Sequence, residues 1–172
     1  MFNLTFIIAQ AFGIVACVFS VISMLSKNIT GALIYQMLAN IAIAINFALV
    51  DGISGGVVCI IGTVQTLVMF LMRKREIEPK NWLLFVFLAA YIIASVIMFA
   101  KWFDILSAVA AVTFAVAVFQ KNTSAYRAIM LVNSCLWIVF DFCAGAYTAI
   151  ITHGIILVSI IVGMIGIDSK KK

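Results

Sequence analysis

Seven mainly apolar stretches of about 16 to 22 residues follow one another along the chain, parted only by short polar or charged clusters. They run from Leu4 to Leu25, Ile29 to Val50, Ile53 to Met72, Trp82 to Ala100, Asp104 to Phe119, Ala125 to Ala144 and Thr148 to Ile167. A helix needs roughly 20 apolar residues to cross a bilayer. Backbone in hydrocarbon must satisfy its own hydrogen bonds, and no ten-residue alternating segments point to a barrel. The expected fold is therefore an all-α membrane protein of seven transmembrane helices. With 66% hydrophobic and 10% charged residues in a length of 172, such spans leave no room for a soluble domain.

The first apolar stretch lacks the basic leading region and small-residue cleavage pattern of a signal peptide, so it reads as a retained helix. Seven spans put the termini on opposite sides, and the basic residues then choose the orientation. One side receives Lys27, Arg73, Lys74, Arg75, Lys80, Lys121, Arg127, Lys170, Lys171 and Lys172, and the other only Lys101. This asymmetry predicts an outer (periplasmic) N-terminus and a cytoplasmic C-terminus. It also accounts for the net charge of +5 without nucleic acid. Cys17, Cys59, Cys135 and Cys143 all lie in apolar stretches without CxxC spacing, so they read as small packing residues rather than disulfides or metal ligands.

The longest polar loop, Arg73 to Asn81, carries the single proline, Pro79, and divides the spans into three, one and three. A shift of 94 residues lays Lys27-Asn28 over Lys121-Asn122; one inserted residue then lays Asn46-Phe47 over Asp141-Phe142. That pattern fits a duplicated three-helix unit, and the odd linker helix makes the repeat parallel. The expected division is residues 1–75 as a first bundle, 76–103 as loop and linker helix, and 104–172 as a second bundle with a short basic tail.

Particular segments carry a family resemblance: Ala9-Gln10-Ala11-Phe12-Gly13, Phe99-Ala100-Lys101 to Asp104, Cys135-Leu136-Trp137-Ile138-Val139, and Phe142-Cys143-Ala144-Gly145. Through them nearly the whole chain resembles the YgjV-type bacterial inner-membrane proteins, and more widely the SWEET-like, PQ-loop three-helix-bundle transporters. The resemblance implies two parallel three-helix bundles joined by the fourth helix, with a pocket between them on a pseudo-two-fold axis. It also implies location in the bacterial inner membrane. The chain departs from the SWEET pattern in having no Pro-Gln dipeptide and no proline in a span, which leaves Gly13, Gly62 or Gly163 to supply flexibility.

Polar side chains at lipid depth are costly, usually point inward and often mark a pathway. The candidates are Gln10, Gln36, Asn40, Asn46, Gln65, Asn133, Asp141 and His153, with Trp137 and Tyr35 as aromatic partners. Asn133, Trp137 and Asp141 are spaced i, i+4, i+8 and follow one stripe of the sixth helix; Gln36 and Asn40 share a face of the second. At 1.5 Å of rise per residue, Gln10, Asn46, Asp141 and His153 fall in the outer third of the bilayer, and Asn40 and Asn133 near its middle. Asn133, Trp137, Asn40, Gln36, Asn46 and Gln65 are therefore the expected solute contacts, and Asp141, His153 and Gln10 the proton-responsive outer gate. Amides beside an indole suit a ring-shaped polar solute such as a sugar, nucleoside or vitamin precursor.

The function expected is small-molecule transport, by facilitation or proton coupling. The alternative is a membrane scaffold or receptor-like subunit. No HExxH, GxSxG or phosphate-binding glycine loop points to an enzyme, and no cofactor or metal is expected. The expected partners are the solute, the bilayer and further copies of the same chain in a homo-oligomer. The charge asymmetry generates a direct test of topology. A reporter fused after Lys172 should be active only if it is one that works in the cytoplasm, and Asn3→Cys should be labelled from outside intact cells. A periplasmic C-terminus would overturn the assignment.

Overall fold

The computed structural model describes residues 4–49, 53–145 and 147–169. They form seven helices: α1 (Leu4–Leu25), α2 (Ile29–Leu49), α3 (Ile53–Lys74), α4 (Asn81–Ile97), α5 (Asp104–Phe119), α6 (Thr123–Ala144) and α7 (Tyr147–Gly163). A π-helical turn, Met164–Asp168, extends α7. There is no strand among the described residues.

Five helices, α1, α2, α3, α6 and α7 with its extension, are long and apolar enough to cross a membrane. The other two are apolar but shorter, at 17 and 16 residues, or about 26 and 24 Å. The fourth helix was expected to reach Ala100, and it stops at Ile97 because Asp104 organises the turn that follows. The Asp104 carboxylate accepts from the backbone N–H groups of Ala100 (2.8 Å) and Lys101 (2.7 Å). It also places a negative charge in the first turn of α5, where the helix dipole favours it.

The interior is built from small residues. Ten of the twenty buried hydrophobic residues among those described are alanine, while Leu4, Ile14, Phe85, Ile97, Phe142 and Ile165 are among the large side chains turned outward. Lipid is as apolar as leucine, so helices gain from close backbone approach rather than from hiding large side chains. Helix α2 packs between α1 and α3, and α6 between α5 and α7; α1 meets α7 and α3 meets α5, closing six helices into a ring. Helix α4 packs on α5 and α3 along their shared seam.

Basic side chains tie one end of this ring. Arg127, expected only as a charge at the membrane edge, is fully buried. Its Nε donates to the Met24 carbonyl at 2.6 Å, and its two terminal nitrogens donate to the Ser26 carbonyl and the Asp168 carboxylate. One guanidinium thereby joins α6 to the end of α1 and to the π turn after α7. Gly163 makes the approach feasible: a Cβ there would lie 2.7 Å from the Met24 carbonyl and 2.8 Å from Arg127 Nε. At the same end Arg73 of α3 donates to the carbonyls of Phe119 and Gln120 that terminate α5. On the exposed rim Lys121 bridges to Glu78 at 2.6 Å, and this bond and charge hold the Glu78 carboxyl below its ordinary range.

Removing one partner of a buried pair leaves the other charge uncompensated, at a cost of roughly 3–5 kcal/mol. Arg127→Met should therefore lower the thermal midpoint of the detergent-solubilised protein markedly. Arg127→Lys should restore little, because a point charge cannot reach three acceptors in the fork geometry of a guanidinium. A midpoint within 2 °C of wild type for Arg127→Met would show the clasp to be dispensable.

Candidate functional site

Within the ring lies a cavity of about 390 Å³, lined from all seven helices. Six of the nine predicted site residues line it: Gln36, Asn40, Asn133, Trp137, Asp141 and His153. The stripe on α6 thus faces one space.

Asp141 and His153 sit on either side of the α6–α7 turn, and His153 Nδ1 lies 2.7 Å from Asp141 Oδ2. With Asp141 ionised, the carboxylate accepts only, so Nδ1 carries the shared proton and Nε2 is left to face other partners. The imidazole also stacks on Trp137, with ring centroids 5.7 Å apart and planes within 7°. Phe140 meets the same indole edge-on at 5.4 Å. The three residues form one unit in which a carboxylate orients an imidazole and the imidazole orients an indole. Helix α6 ends just beyond, at Gly145, whose left-handed φ of 71° suits glycine and whose N–H caps the carbonyls of Asp141 and Phe142. The Ala144-Gly145 element of the family resemblance is thus a helix stop that fixes where Asp141 stands.

Deeper in, the polar side chains are largely engaged with one another. Gln36 Nε2 donates to Asn40 Oδ1 (3.2 Å), and Tyr126 donates to Gln36 Oε1 (3.3 Å). The amide nitrogen of Asn133 donates to the Ala110 carbonyl (2.6 Å) and to Thr113 Oγ1 (3.0 Å), tying α6 to α5.

Three predicted contacts do not line the cavity. Gln65 is buried but donates to the Ala115 carbonyl at 3.0 Å, joining α3 to α5. Asn46 donates to the Ala9 carbonyl at 2.6 Å and holds α2 to α1 beside Gly13. Gln10 is exposed, one step of 100° around α1 from buried Ala9, so it faces away from the ring. Tyr35, the second aromatic partner, stacks on Phe19 outside the cavity. Tyr91 of α4, not among the residues expected from the sequence, lines the cavity and is 1% exposed. The signal available was its spacing: Phe87, Tyr91 and Ala94 mark a single buried face of α4.

The family model for bacterial inner membrane proteins of the YgjV type matches residues 7–171. The chain belongs to this family. It is accordingly a protein of the bacterial inner membrane with several membrane-spanning helices. No curated protein and no solved structure matches it.

His153 is the single histidine, so its ring nitrogens can be followed without assignment in the untagged, nitrogen-15-labelled protein. The nitrogen spectrum at neutral pH should show the proton on Nδ1. Asp141→Asn should shift population toward the Nε2-protonated form that free imidazole side chains favour. An unchanged tautomer in Asp141→Asn would show that the carboxylate does not orient the ring.

Proposed function

We propose that this chain is a carrier that moves a small polar solute across the inner membrane through the ring of helices. It spans the membrane seven times, with the N-terminus outside and the C-terminus in the cytoplasm. Its two parallel three-helix units, joined by α4, are related to the SWEET-like, PQ-loop bundles. The observation that carries this reading is the cavity, which has polar and aromatic side chains inside a protein whose outer face is apolar. A volume near 390 Å³ lies in the range of small-molecule sites.

Two further observations support the finer points. Arg73, Arg127 and Lys121 gather at one end of the ring, as a cytoplasmic end requires. The two halves also begin their second helices alike: Asn28 Oδ1 accepts from the N–H of Gly31, and 94 residues later Asn122 Oδ1 accepts from the N–H of Ala125.

In this reading Trp137 supplies the stacking surface and the Asp141–His153 pair the proton-responsive element, with Asp104, Tyr91 and Cys59 the other titratable groups lining the space. Uptake into proteoliposomes, using a solute found by ligand-induced thermal shift across sugars, nucleosides and vitamin precursors, is the test. Trp137→Ala should weaken uptake affinity by about tenfold, the scale of one lost aromatic contact. Asp141→Asn should flatten the pH profile while exchange continues. Wild-type affinity in Trp137→Ala would remove the cavity from the path. An unaltered pH profile in both Asp141→Asn and His153→Gln would leave a passive facilitator.

A further inference from the structure

We infer that Asn40 and Tyr91, standing over Gly62, form a subsite for the carbonyl oxygen of a planar ring. The solute is then an oxo-heterocycle or aromatic carboxamide rather than a polyhydroxylated sugar; this assignment rests on the reading of the cavity as a solute site. Asn40 is 7% exposed and Tyr91 1% exposed, and both line the cavity. Asn40 Nδ2 and Tyr91 Oη have no hydrogen-bond partner among the described residues. They converge: a Cβ built on Gly62 would lie 3.0 Å from Asn40 Nδ2, 3.2 Å from Tyr91 Oη and 3.3 Å from Phe114 Cε1. Gly62, having no side chain, lets both polar groups come this close to the backbone of α3. Asn40 Oδ1 already accepts from Gln36, which leaves Nδ2 as the group of this amide without a partner among the described residues.

Two donors meeting beside an aromatic edge fit an acceptor with two lone pairs in one plane, which is a carbonyl oxygen on a flat ring. The rest of the lining favours the same class. The amide nitrogen of Asn133 is engaged with α5, Gln36 with Asn40 and Tyr126, and Asp141 with His153. A sugar would bring many hydroxyls to a space whose amide nitrogens, apart from that of Asn40, are engaged within the protein, so that part of its polar surface would be desolvated without a donor. A planar ring requires few such bonds and gains from Trp137 and Phe114.

Titration calorimetry on the full-length protein in nanodiscs tests this with nicotinamide and uracil as carbonyl-bearing rings, pyridine as the ring alone, and glucose as the polyol. Nicotinamide and uracil should bind. Tyr91→Phe should weaken both by about three- to tenfold, the effect of one hydrogen bond, and leave pyridine unaffected. Gly62→Ala should weaken nicotinamide and uracil binding, because its methyl would meet Asn40 Nδ2 at 3.0 Å and Tyr91 Oη at 3.2 Å and push both donors out of place. Tyr91→Phe removes no bond among the described residues, so its thermal midpoint should match wild type and a folding defect will not mimic the result. Wild-type affinity of folded Tyr91→Phe for nicotinamide and uracil overturns the subsite. Binding of glucose alone overturns the carbonyl assignment and leaves the carrier reading standing. Failure of every probe, with no ligand found for the cavity by thermal shift, overturns both.

Discussion

A polar atom between membrane helices has no water to fall back on, so its partner must be another protein group. In this chain that partner is repeatedly on another helix. Arg127 of α6 reaches the end of α1 and the turn after α7, Asn133 of α6 reaches α5, Gln65 of α3 reaches α5, and Asn46 of α2 reaches α1. Each bond fixes the rotation of one helix about its axis relative to a neighbour, which alanine-rich contacts alone fix poorly. Close packing supplies the attraction, and the polar bonds select the arrangement. The cavity follows from that selection, because several side chains holding the ring together also line its interior.

The two ends of the ring are held by different chemistry. At the basic end, arginines fold onto carbonyls that terminate helices, where the dipole places partial negative charge. At the other, the contacts are a carboxylate–imidazole bond and a run of stacked and edge-on rings through Trp137, Phe140 and Phe103. Multiple charge-assisted bonds on one guanidinium must break together, whereas aromatic contacts can slide with small changes in area. For a carrier this difference makes the basic end the costlier one to part. The Met24 and Ser26 carbonyls are the contacts that such a movement must exchange.

Much of this was legible in the sequence where periodicity applied. The span limits of α1 and α5 coincide with the apolar runs, since charge and polarity change abruptly there. Asn133, Trp137 and Asp141 share the cavity because four-residue spacing keeps a stripe on one face. Rotation about the helix axis is not readable in the same way without such spacing, and that separates Gln10 from the rest: it is exposed on the face turned away from the ring. Arg127 was counted as a charge at the membrane edge because a sequence does not show that an arginine one turn inside a helix meets carbonyls from α1. Tyr91 was passed over, and Gly62 was singled out only as a source of flexibility, for a related reason. A tyrosine among phenylalanines and a glycine among small residues look like packing until three helices place their atoms around one point.

Asn28 and Asn122 perform the same helix-capping task for α2 and α6, the helices that correspond in the proposed two-unit arrangement. Asn46 and Asp141 occupy corresponding places near the far end of those helices, yet their bonds differ in kind. Asn46 binds a backbone carbonyl of the helix before it, a neutral contact that only holds α2 to α1. Asp141 binds an imidazole of the helix after it, and the second helix of that unit turns its carboxylate into the cavity instead of away from it. Asn46 can serve only as glue, because its amide neither titrates nor lines the cavity. Asp141 lines the cavity and carries a titratable group, so in the proposed carrier the proton-responsive chemistry would sit in the second half of the ring. In that proposal the solute would rest between the neutral donor of Asn40 on one side and Trp137 with the Asp141–His153 pair on the other.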